Sequence, residues 1–465
     1  MTDDIFFATI TELSTRLRKK EFSAAELTKA FGMRLAALGP RYNALALPLT
    51  ELAVKRAKGV DDDLRRDRFR GPLHGIPFGA KDLLAVAGQR TTWGAKPYEN
   101  QVLDETATVL TKLDAVGAPL VGKLSMIELA GGPTYRSAEA SLFGPCRNPW
   151  DLTRWAGGSS SGSGAAVAAG LVPFALGSET SGSIINPSAY CGVTGLRPTY
   201  GLVSRHGAMA LSWTLDKIGP LCRNAEDCGL VLQAIAGGDS KDPGSSGKSF
   251  YYTPQYSRKL SELKAGVASG GQVWAETAFG LLREAGLKTV PGKLPAFPYG
   301  PMVNTILGSE AASIFEPLIA SGKVEQLQDI RQIERLKAGL QIPAKDYLKA
   351  MRIRSLVQQK FRELFYELDV LIAPAFSAIA TKITEPLDAP SPGPTLSPNP
   401  LGALIEAGNL AGLPALSVPC GFEDGMPVAI QIVGPPNSEN MLLAIGREFQ
   451  QRTDWHKRRP PVAAA

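Results

Sequence analysis

The sequence feature that most limits which structures this chain can form is a segment rich in small residues from Trp155 to Pro198, WAGGSSSGSGAAVAAGLVPFALGSETSGSIINPSAYCGVTGLRP. Two loops rich in glycine and serine enclose a short Ala-rich helix and an apolar strand. A flexible linker does not contain such a stretch, because AAVAAGLVPFALG has to be buried. Glycine and serine expose backbone N–H groups and leave room for a ligand, so the pattern indicates a binding or catalytic site.

Two other interpretations of these loops are weaker. Glycines before a helix N-terminus bind phosphate, but the loop lacks the G-K-[ST] ending of a P-loop and the acidic residue of a dinucleotide fingerprint. The residues from Gly158 to Gly162 match the G-x-S-x-G nucleophile elbow of α/β-hydrolases, with Ser160 as the nucleophile. That elbow needs a later acid and a later histidine, and the only later histidines are His206 and His456.

The rest of the chain alternates between helical and strand patterns. A capping box at Ser23 and apolar residues at helical spacing predict a helix from about Ser23 to Leu38. A helix followed by a short buried strand recurs from Thr106, from Ala275 and from Asp346. This alternation predicts an α/β protein with a mixed, largely parallel central sheet covered by helices on both faces.

The length of 465 residues exceeds that of most single domains, although large α/β enzymes reach it. We expect one domain over residues 1–465, with a helical segment to about 70 and a core that carries the motifs at about 71–235. A variable covering subregion follows at about 240–400, and closing strands and a helix at about 401–455. The covering subregion includes TEPLDAPSPGPTLSPNP, a Pro-rich stretch that predicts a mobile loop.

Charge and composition do not indicate a nucleic-acid, metal or membrane partner. The net charge is +6, from 50 basic and 44 acidic residues, an excess too small to indicate nucleic acid. Five cysteines without a C-x-x-C pair fit a reducing compartment, and three histidines without H-x-x-x-H spacing do not predict a metal site. The polar N-terminus and the lack of a long apolar segment predict a cytoplasmic protein that is not bound to a membrane.

A serine hydrolase without a histidine base needs another proton acceptor, and GPLHGIPFGAKDLLAVAG supplies Lys81. Its setting is mostly apolar, which lowers the pKa of an ammonium group so that the neutral amine can accept a proton. The alternative is that Lys81 simply forms an ion pair with the adjacent Asp82. The residues around Lys81 alone do not decide between the two.

Three segments together resemble the amidase signature family. They are GIPFGAKD, GGSSSGSGAAVAAG and GSETSGSIINPSAYCGVTGLRP, in the family's order and spacing. The resemblance extends to GLVSRHGAMALSWTLDKIGPLCRNAEDC and to the closing segments AGLPALSVPCG and GMPVAIQIVG, so it covers most of the chain. It implies the amidase signature fold and a hydrolase that cleaves carbon–nitrogen bonds other than peptide bonds.

Carried over position by position, the resemblance assigns three catalytic residues. Lys81 is the base, Ser159 the bridging serine that follows a cis peptide bond, and Ser183 the nucleophile. The implied oxyanion hole consists of backbone N–H groups from Thr180, Ser181, Gly182 and Ser183. Ser183 would attack the carbonyl carbon, its proton would pass through Ser159 to Lys81, and the acyl-enzyme would be hydrolysed by water.

This sequence departs from the family pattern beside the nucleophile. Glu179 replaces an aspartate, Ser181 replaces a glycine, and Ile185 stands where the family has an arginine. We interpret the aspartate and the arginine as supports of the loop, so their joint replacement predicts retained activity with an altered loop.

The prediction is therefore an amidohydrolase acting on an amide, anilide, carbamate or urea-like bond, without cofactor or metal. Its expected partner is a small-molecule substrate, with no nucleic acid and no membrane, and homodimerisation is allowed. Two alternatives stay open. One is the glutaminase subunit of a tRNA-dependent amidotransferase, for which no Asp/Arg pair to hold glutamine is evident. The other is a catalytically silent binding protein on the same fold.

Overall fold

The computed structural model describes residues 3–388 and 399–461. Most of the Pro-rich stretch after Thr384, predicted as a mobile loop, lies outside these ranges. The α-helices of the described residues are α1 (Ile10–Arg18), α2 (Ala24–Leu38), α3 (Thr50–Arg65), α4 (Thr108–Ala115), α5 (Ser161–Ala168), α6 (Ile185–Cys191), α7 (Ala225–Ile235), α8 (Val273–Glu284), α9 (Tyr299–Ile314), α10 (Glu316–Ala320), α11 (Ile330–Gly339), α12 (Ala344–Glu367), α13 (Leu404–Ala411) and α14 (Glu439–Gln451).

Within the described ranges, eleven strands form one sheet in the order β1-β3-β2-β6-β8-β7-β12-β13-β11-β9-β10, and β4 and β5 form a separate pair. The strands are β1 (Leu45–Pro48), β2 (Phe78–Lys81), β3 (Leu120–Leu124), β4 (Arg147–Asn148), β5 (Asp151–Trp155), β6 (Phe174–Glu179), β7 (Thr194–Arg197), β8 (Lys217–Cys222), β9 (Lys264–Val267), β10 (Lys288–Pro291), β11 (Val370–Pro374), β12 (Ala415–Glu423) and β13 (Met426–Val433).

The predicted mixed sheet is confirmed, and its parallel pairs are fewer than expected. Strands β3, β2 and β6 run parallel at one end, and β11, β9 and β10 at the other. The remaining six neighbouring pairs of the described sheet are antiparallel. One cause is the turn at Asp424 and Gly425, both with positive φ, which joins β12 directly to β13 as a hairpin.

Every residue of β2, β6, β8 and β11 is buried, as expected for a sheet with helices on both faces. The predicted helix after Ser23 is confirmed as α2, and Ser23 and Glu26 form the capping box. The segments from Thr106, Ala275 and Asp346 also form the expected helix and strand pairs, α4–β3, α8–β10 and α12–β11. The division into one domain with four segments stays a prediction.

Candidate active site

The site lies where two neighbouring parallel strands end. Lys81 is the last residue of β2, and β2 runs parallel to β6, which ends at Glu179. Carboxyl ends of parallel strands meet at one edge of a sheet, where loops can converge. The loop with Ser159 leads into α5, and the loop with Ser183 joins β6 to α6. The fold thus brings the three sequence motifs to one place.

Lys81 is fully buried and bound to two serines. Its Nζ donates to Ser159 Oγ at 2.7 Å and to Ser178 Oγ at 3.0 Å. The adjacent Asp82 instead pairs with Lys123, at 2.8 Å between Oδ1 and Nζ. The alternative of a simple Lys81–Asp82 ion pair is therefore excluded.

Burial sets the protonation behaviour of Lys81. Loss of hydration lowers the pKa of its ammonium group to about 7, while the negative charges of Asp216 and Glu179 limit the decrease. A large fraction of neutral amine is then present near neutral pH. Lys81 can accept a proton under conditions where a solvated lysine remains charged.

Ser159 is completely buried and follows a cis peptide bond from Gly158, as the family resemblance implies. The Gly158 N–H donates to the side chain of Asn186 at 2.8 Å, which ties this loop to α6. Gly162, in the first turn of α5, packs so closely on Ser125 that a Cβ would lie 2.6 Å from the backbone nitrogen. The small residues that dominate this motif therefore allow close backbone contacts.

Ser183 lies in the loop between β6 and α6, with 9% of its surface exposed. Its carbonyl accepts a hydrogen bond from Ser160 N at 3.4 Å, which joins the two catalytic loops through their backbones. Gly182 adopts a positive φ of 90°. Within the described residues, no protein group accepts a hydrogen bond from the N–H of Ser181, Gly182 or Ser183, so these donors can serve an oxyanion.

Glu179, the residue that departs from the family pattern, supports the nucleophile loop. One carboxylate oxygen, Oε2, accepts from Ile184 N at 2.8 Å and Ile185 N at 3.0 Å, just after Ser183. The other, Oε1, accepts from Arg197 at 2.8 Å and from Asn409 at 2.9 Å. Burial raises the pKa of Glu179, but the charges of Arg197 and Lys217 outweigh it and lower that pKa to about 2.

Arg197 on β7 therefore provides a fully buried cation that pairs with Glu179. Lys217, at the start of β8, donates to Asn409 Oδ1 at 2.6 Å and completes the network. These residues and Ser178 were missed by the sequence analysis. Glu179 and Asn409 are 230 positions apart, so no local sequence pattern predicts their contact. The available signal was Glu179 itself, which stands where the family has an aspartate.

A cavity of about 550 Å³ adjoins this site. Ser178 and Thr180 form part of its wall beside the catalytic loops, and Leu83, Met209 and Leu211 add apolar surface. Its lining also includes Arg205, Asp242 and Trp213. A volume of this size fits a small organic substrate or the end of a larger one.

The elbow interpretation of the first loop is not supported. Ser160 Oγ donates to the carbonyl of Ser178 and accepts from its N–H, at 3.1 and 3.2 Å. His206, one of the two later histidines, contacts Glu105 at 3.3 Å instead. In the described part of the chain, no group of three or more His, Cys, Asp or Glu side chains is placed to hold a metal ion.

Comparison with known proteins decides the family. The family model described as Amidase matches residues 26–443. The chain belongs to the amidase signature family. The predicted fold and the class of enzyme, a hydrolase of carbon–nitrogen bonds, are confirmed by this match and by the solved structures that this member resembles.

Three relatives of this amidase illustrate the range of the family. A glutamyl-tRNA(Gln) amidotransferase subunit of Carboxydothermus hydrogenoformans is 36% identical, over 99% of this chain and 100% of the relative. The structure of native peptide amidase from Stenotrophomonas maltophilia has a TM-score of 0.83 at 31% identity, over 98% of each chain. The corresponding glutamyl-tRNA(Gln) amidotransferase subunit from Thermotoga maritima has a TM-score of 0.76 at 29% identity, over 97% of this chain and 96% of that one.

These relatives correct the partners that we expected. The prediction that a small-molecule substrate is the only partner, without nucleic acid and with at most a homodimer, is wrong, because full-length relatives are named as one subunit of an amidotransferase for glutamyl-tRNA(Gln). The net charge did not indicate a nucleic-acid partner, since net charge reports on direct electrostatic binding and not on RNA that binds to a complex of several chains. For membranes, no described helix is long and apolar enough to cross a bilayer.

Proposed function

We propose that this chain hydrolyses an amide C–N bond through an acyl-enzyme on Ser183, with Ser159 and neutral Lys81 as the proton relay. The observation that carries the proposal is the 2.7 Å hydrogen bond between Lys81 Nζ and Ser159 Oγ, inside a site that lowers the pKa of Lys81 to about 7. An ammonium group kept charged by a carboxylate could not act as this base.

The reaction begins with attack of Ser183 Oγ on the carbonyl carbon. The Ser183 proton moves to Ser159 Oγ, and the Ser159 proton moves to Lys81 Nζ. Lys81 then returns a proton through Ser159 to the leaving nitrogen, and the C–N bond breaks. Water enters, gives up a proton by the same route and releases the acid from Ser183.

The negative charge that develops on the carbonyl oxygen needs fixed donors. The N–H groups of Ser181, Gly182 and Ser183 are suited to this role because they are not used within the described part of the protein. Each such donor lowers the barrier by about 3 kcal/mol in serine hydrolases, or more than a hundredfold in rate. The support of Glu179 on the other side of Ser183 keeps the loop in place.

For the substrate we propose the side-chain amide of glutamine, with the chain acting as the glutaminase subunit of a tRNA-dependent amidotransferase. The support is the end-to-end match with relatives that are named as a glutamyl-tRNA(Gln) amidotransferase subunit. Ammonia is then the leaving group, and glutamate is the acid released from Ser183. The partners that this function implies are a tRNA and the other chains of the complex.

A second candidate is hydrolysis of a larger uncharged amide, anilide or carbamate. It is favoured by the apolar part of the cavity lining, Leu83, Met209 and Leu211, and by Arg205, whose charge is already paired with Asp242 at 2.8 Å. Free glutamine carries an ammonium and a carboxylate that need opposite charges, whereas an apolar group would pack against Leu83 and Met209 without them.

The test compares ammonia release from glutamine with amine release from an aryl amide and an aryl carbamate, for the wild type and Ser183→Ala. Glutamine is assayed with and without the other subunits of the Thermotoga maritima amidotransferase. Glutamate formation that requires Ser183 supports the first candidate. Amine release that requires Ser183, without turnover of glutamine under either condition, supports the second. Turnover that survives Ser183→Ala would refute the acyl-enzyme.

A further inference from the structure

The first residue of the nucleophile loop is held by a carboxylate. Thr180 follows β6 directly, and its Oγ1 donates to Asp216 Oδ1 at 2.5 Å. Asp216 directly precedes β8, which pairs antiparallel with β6 so that Glu179 lies opposite Lys217. The contact therefore joins the two strands at the edge of the sheet where the catalytic loops converge.

Asp216 itself is fixed by its second oxygen. Oδ2 accepts hydrogen bonds from Leu211 N at 2.8 Å and from Ser212 N at 2.9 Å. Ser212 Oγ in turn donates to Glu310 on α9, which also accepts from Tyr347 OH at 2.8 Å. With one oxygen bound to two backbone donors, the carboxylate cannot rotate away from Thr180 without losing them.

The nucleophile loop is thus anchored on both sides. Asp216 holds Thr180 before the loop, and Glu179 holds the N–H groups of Ile184 and Ile185 after it. Between these anchors, the Asn186 N–H donates to the Gly182 carbonyl at 2.7 Å, which fixes the peptide that carries the Ser183 N–H. Among the described residues, no backbone hydrogen bond fixes the peptides that carry the N–H groups of Ser181 and Gly182. The direction of these two donors therefore depends on the anchors.

We propose that Asp216 is a positioning residue, which acts through the Thr180 hydroxyl to aim the N–H groups of Ser181 and Gly182 at the oxyanion. The inference rests on the proposed role of Ser183 as nucleophile. It predicts that loss of the contact slows the chemical step and leaves binding unchanged, because the groups that move stabilise the transition state and not the bound ground state.

The test measures the labelling of Ser183 by a fluorophosphonate as a function of reagent concentration, which yields a maximal rate and a half-saturating concentration. Thr180→Val should lower the maximal rate about 10- to 100-fold, with the half-saturating concentration within about twofold of the wild type. Thr180→Ser keeps the hydroxyl and should restore most of the rate. A general loss of packing at this position would instead reduce the maximal labelling rate of both variants.

A matched control is Thr108→Val, which removes another threonine–aspartate hydrogen bond, 2.7 Å from Oγ1 to Asp239 Oδ2, outside the catalytic loops. It should label at the rate of the wild type. Asp216→Ala should reduce the maximal rate at least as much as Thr180→Val. The double variant should be slower than the slower single variant by no more than about twofold, because both changes remove the same contact. Rates are compared at about pH 9, where Lys81 is neutral with or without the Asp216 charge.

Three results would overturn the role of Asp216: wild-type maximal rates in Thr180→Val, equal losses in Thr180→Ser and Thr180→Val, or fully multiplicative effects of Thr180→Val and Asp216→Ala. If Asp216→Ala does not fold, the two Thr180 variants decide alone. A wild type that is not labelled at Ser183 would instead refute the proposed function, so the two failures are distinguishable.

Discussion

Lys81 Nζ lies 2.7 Å from Ser159 Oγ, and neither side chain has any exposed surface. Burial of a lysine without a carboxylate in contact is costly for the charged form, so this pair favours a neutral amine. The neighbouring pair of Lys123 and Asp82 differs, because there a buried lysine contacts a buried carboxylate at 2.8 Å. Two buried lysines on adjacent strands are therefore expected to behave differently.

The first prediction concerns activity. Lys81→Met should lower kcat/KM by about 10²- to 10⁴-fold, because the variant has no group at this position that can accept the proton. Steady-state kinetics on any substrate found for the chain, or the rate of fluorophosphonate labelling, provide the measurement. A loss of less than about threefold would exclude Lys81 as the base.

The second prediction separates the two lysines by stability. Lys123→Met leaves Asp82 buried without its cation and should reduce the free energy of unfolding by about 3–5 kcal/mol. Lys81→Met removes a buried amine whose hydrogen bonds, among the described residues, go to two serine hydroxyls, and it should change this free energy by about 1 kcal/mol or less. Urea denaturation of both variants checks this. Equal destabilisation would show that Lys81 is held as a structural cation.

The third prediction is a pH dependence. The base is the neutral amine, and burial lowers the pKa of Lys81 to about 7, against the partial compensation by Asp216 and Glu179. Below that pH the protonated form dominates, so kcat/KM should rise about tenfold per pH unit and level off above about pH 7. Rates from about pH 5 to 9 test this. A profile that keeps rising towards pH 10 would indicate a lysine with an ordinary pKa.

The fourth prediction concerns Glu179. Glu179→Gln leaves Arg197 and Lys217 without their buried carboxylate and should destabilise the protein by about 3–5 kcal/mol. As a control, Glu21→Gln breaks a partly exposed pair with Arg16 and should cost less than about 1 kcal/mol. Thermal or urea unfolding distinguishes them, and similar small effects for both would contradict the role of Glu179 in the network.

The stabilising effect of Glu179 should also depend on pH. Its folded pKa of about 2 is lower than the ordinary value of 4.5, so the stabilisation is present above pH 4.5 and lost as the pH falls towards 2. The Glu179→Gln variant should lose this part of the acid sensitivity.

The fifth prediction is that metal removal has no effect. The relay of Lys81, Ser159 and Ser183 uses side chains alone, so treatment with EDTA should leave the labelling rate of Ser183 unchanged. Loss of labelling that is restored by added metal would show that the described site is incomplete.

The fold was predicted correctly in the parts of the chain that have strong local sequence signals. The capping box of Ser23 and Glu26 starts α2 as expected, and the closing segments form β12 and β13. The proportion of parallel strands was overestimated, because strand direction is set by connections such as the Asp424–Gly425 hairpin and not by apolar pattern.

The candidate site was predicted through its motifs, and its supporting residues were not. Lys81, Ser159 and the nucleophile loop meet because parallel β2 and β6 end side by side, which the order of the motifs alone does not reveal. The partners of Glu179 come from β7 and α13, and such long-range contacts arise from tertiary packing. Asp216 lies in a segment that matched the family without any sign of its contact with Thr180.

The central claim is that Ser183 is an activated nucleophile. The most direct measurement is intact-protein mass spectrometry after incubation with a fluorophosphonate, with wild type and Ser183→Ala in parallel. We expect one covalent adduct on the wild type, located at Ser183 by peptide mapping, and none on Ser183→Ala. An equal adduct on Ser183→Ala, or no adduct on a wild type that hydrolyses an amide, would contradict the account.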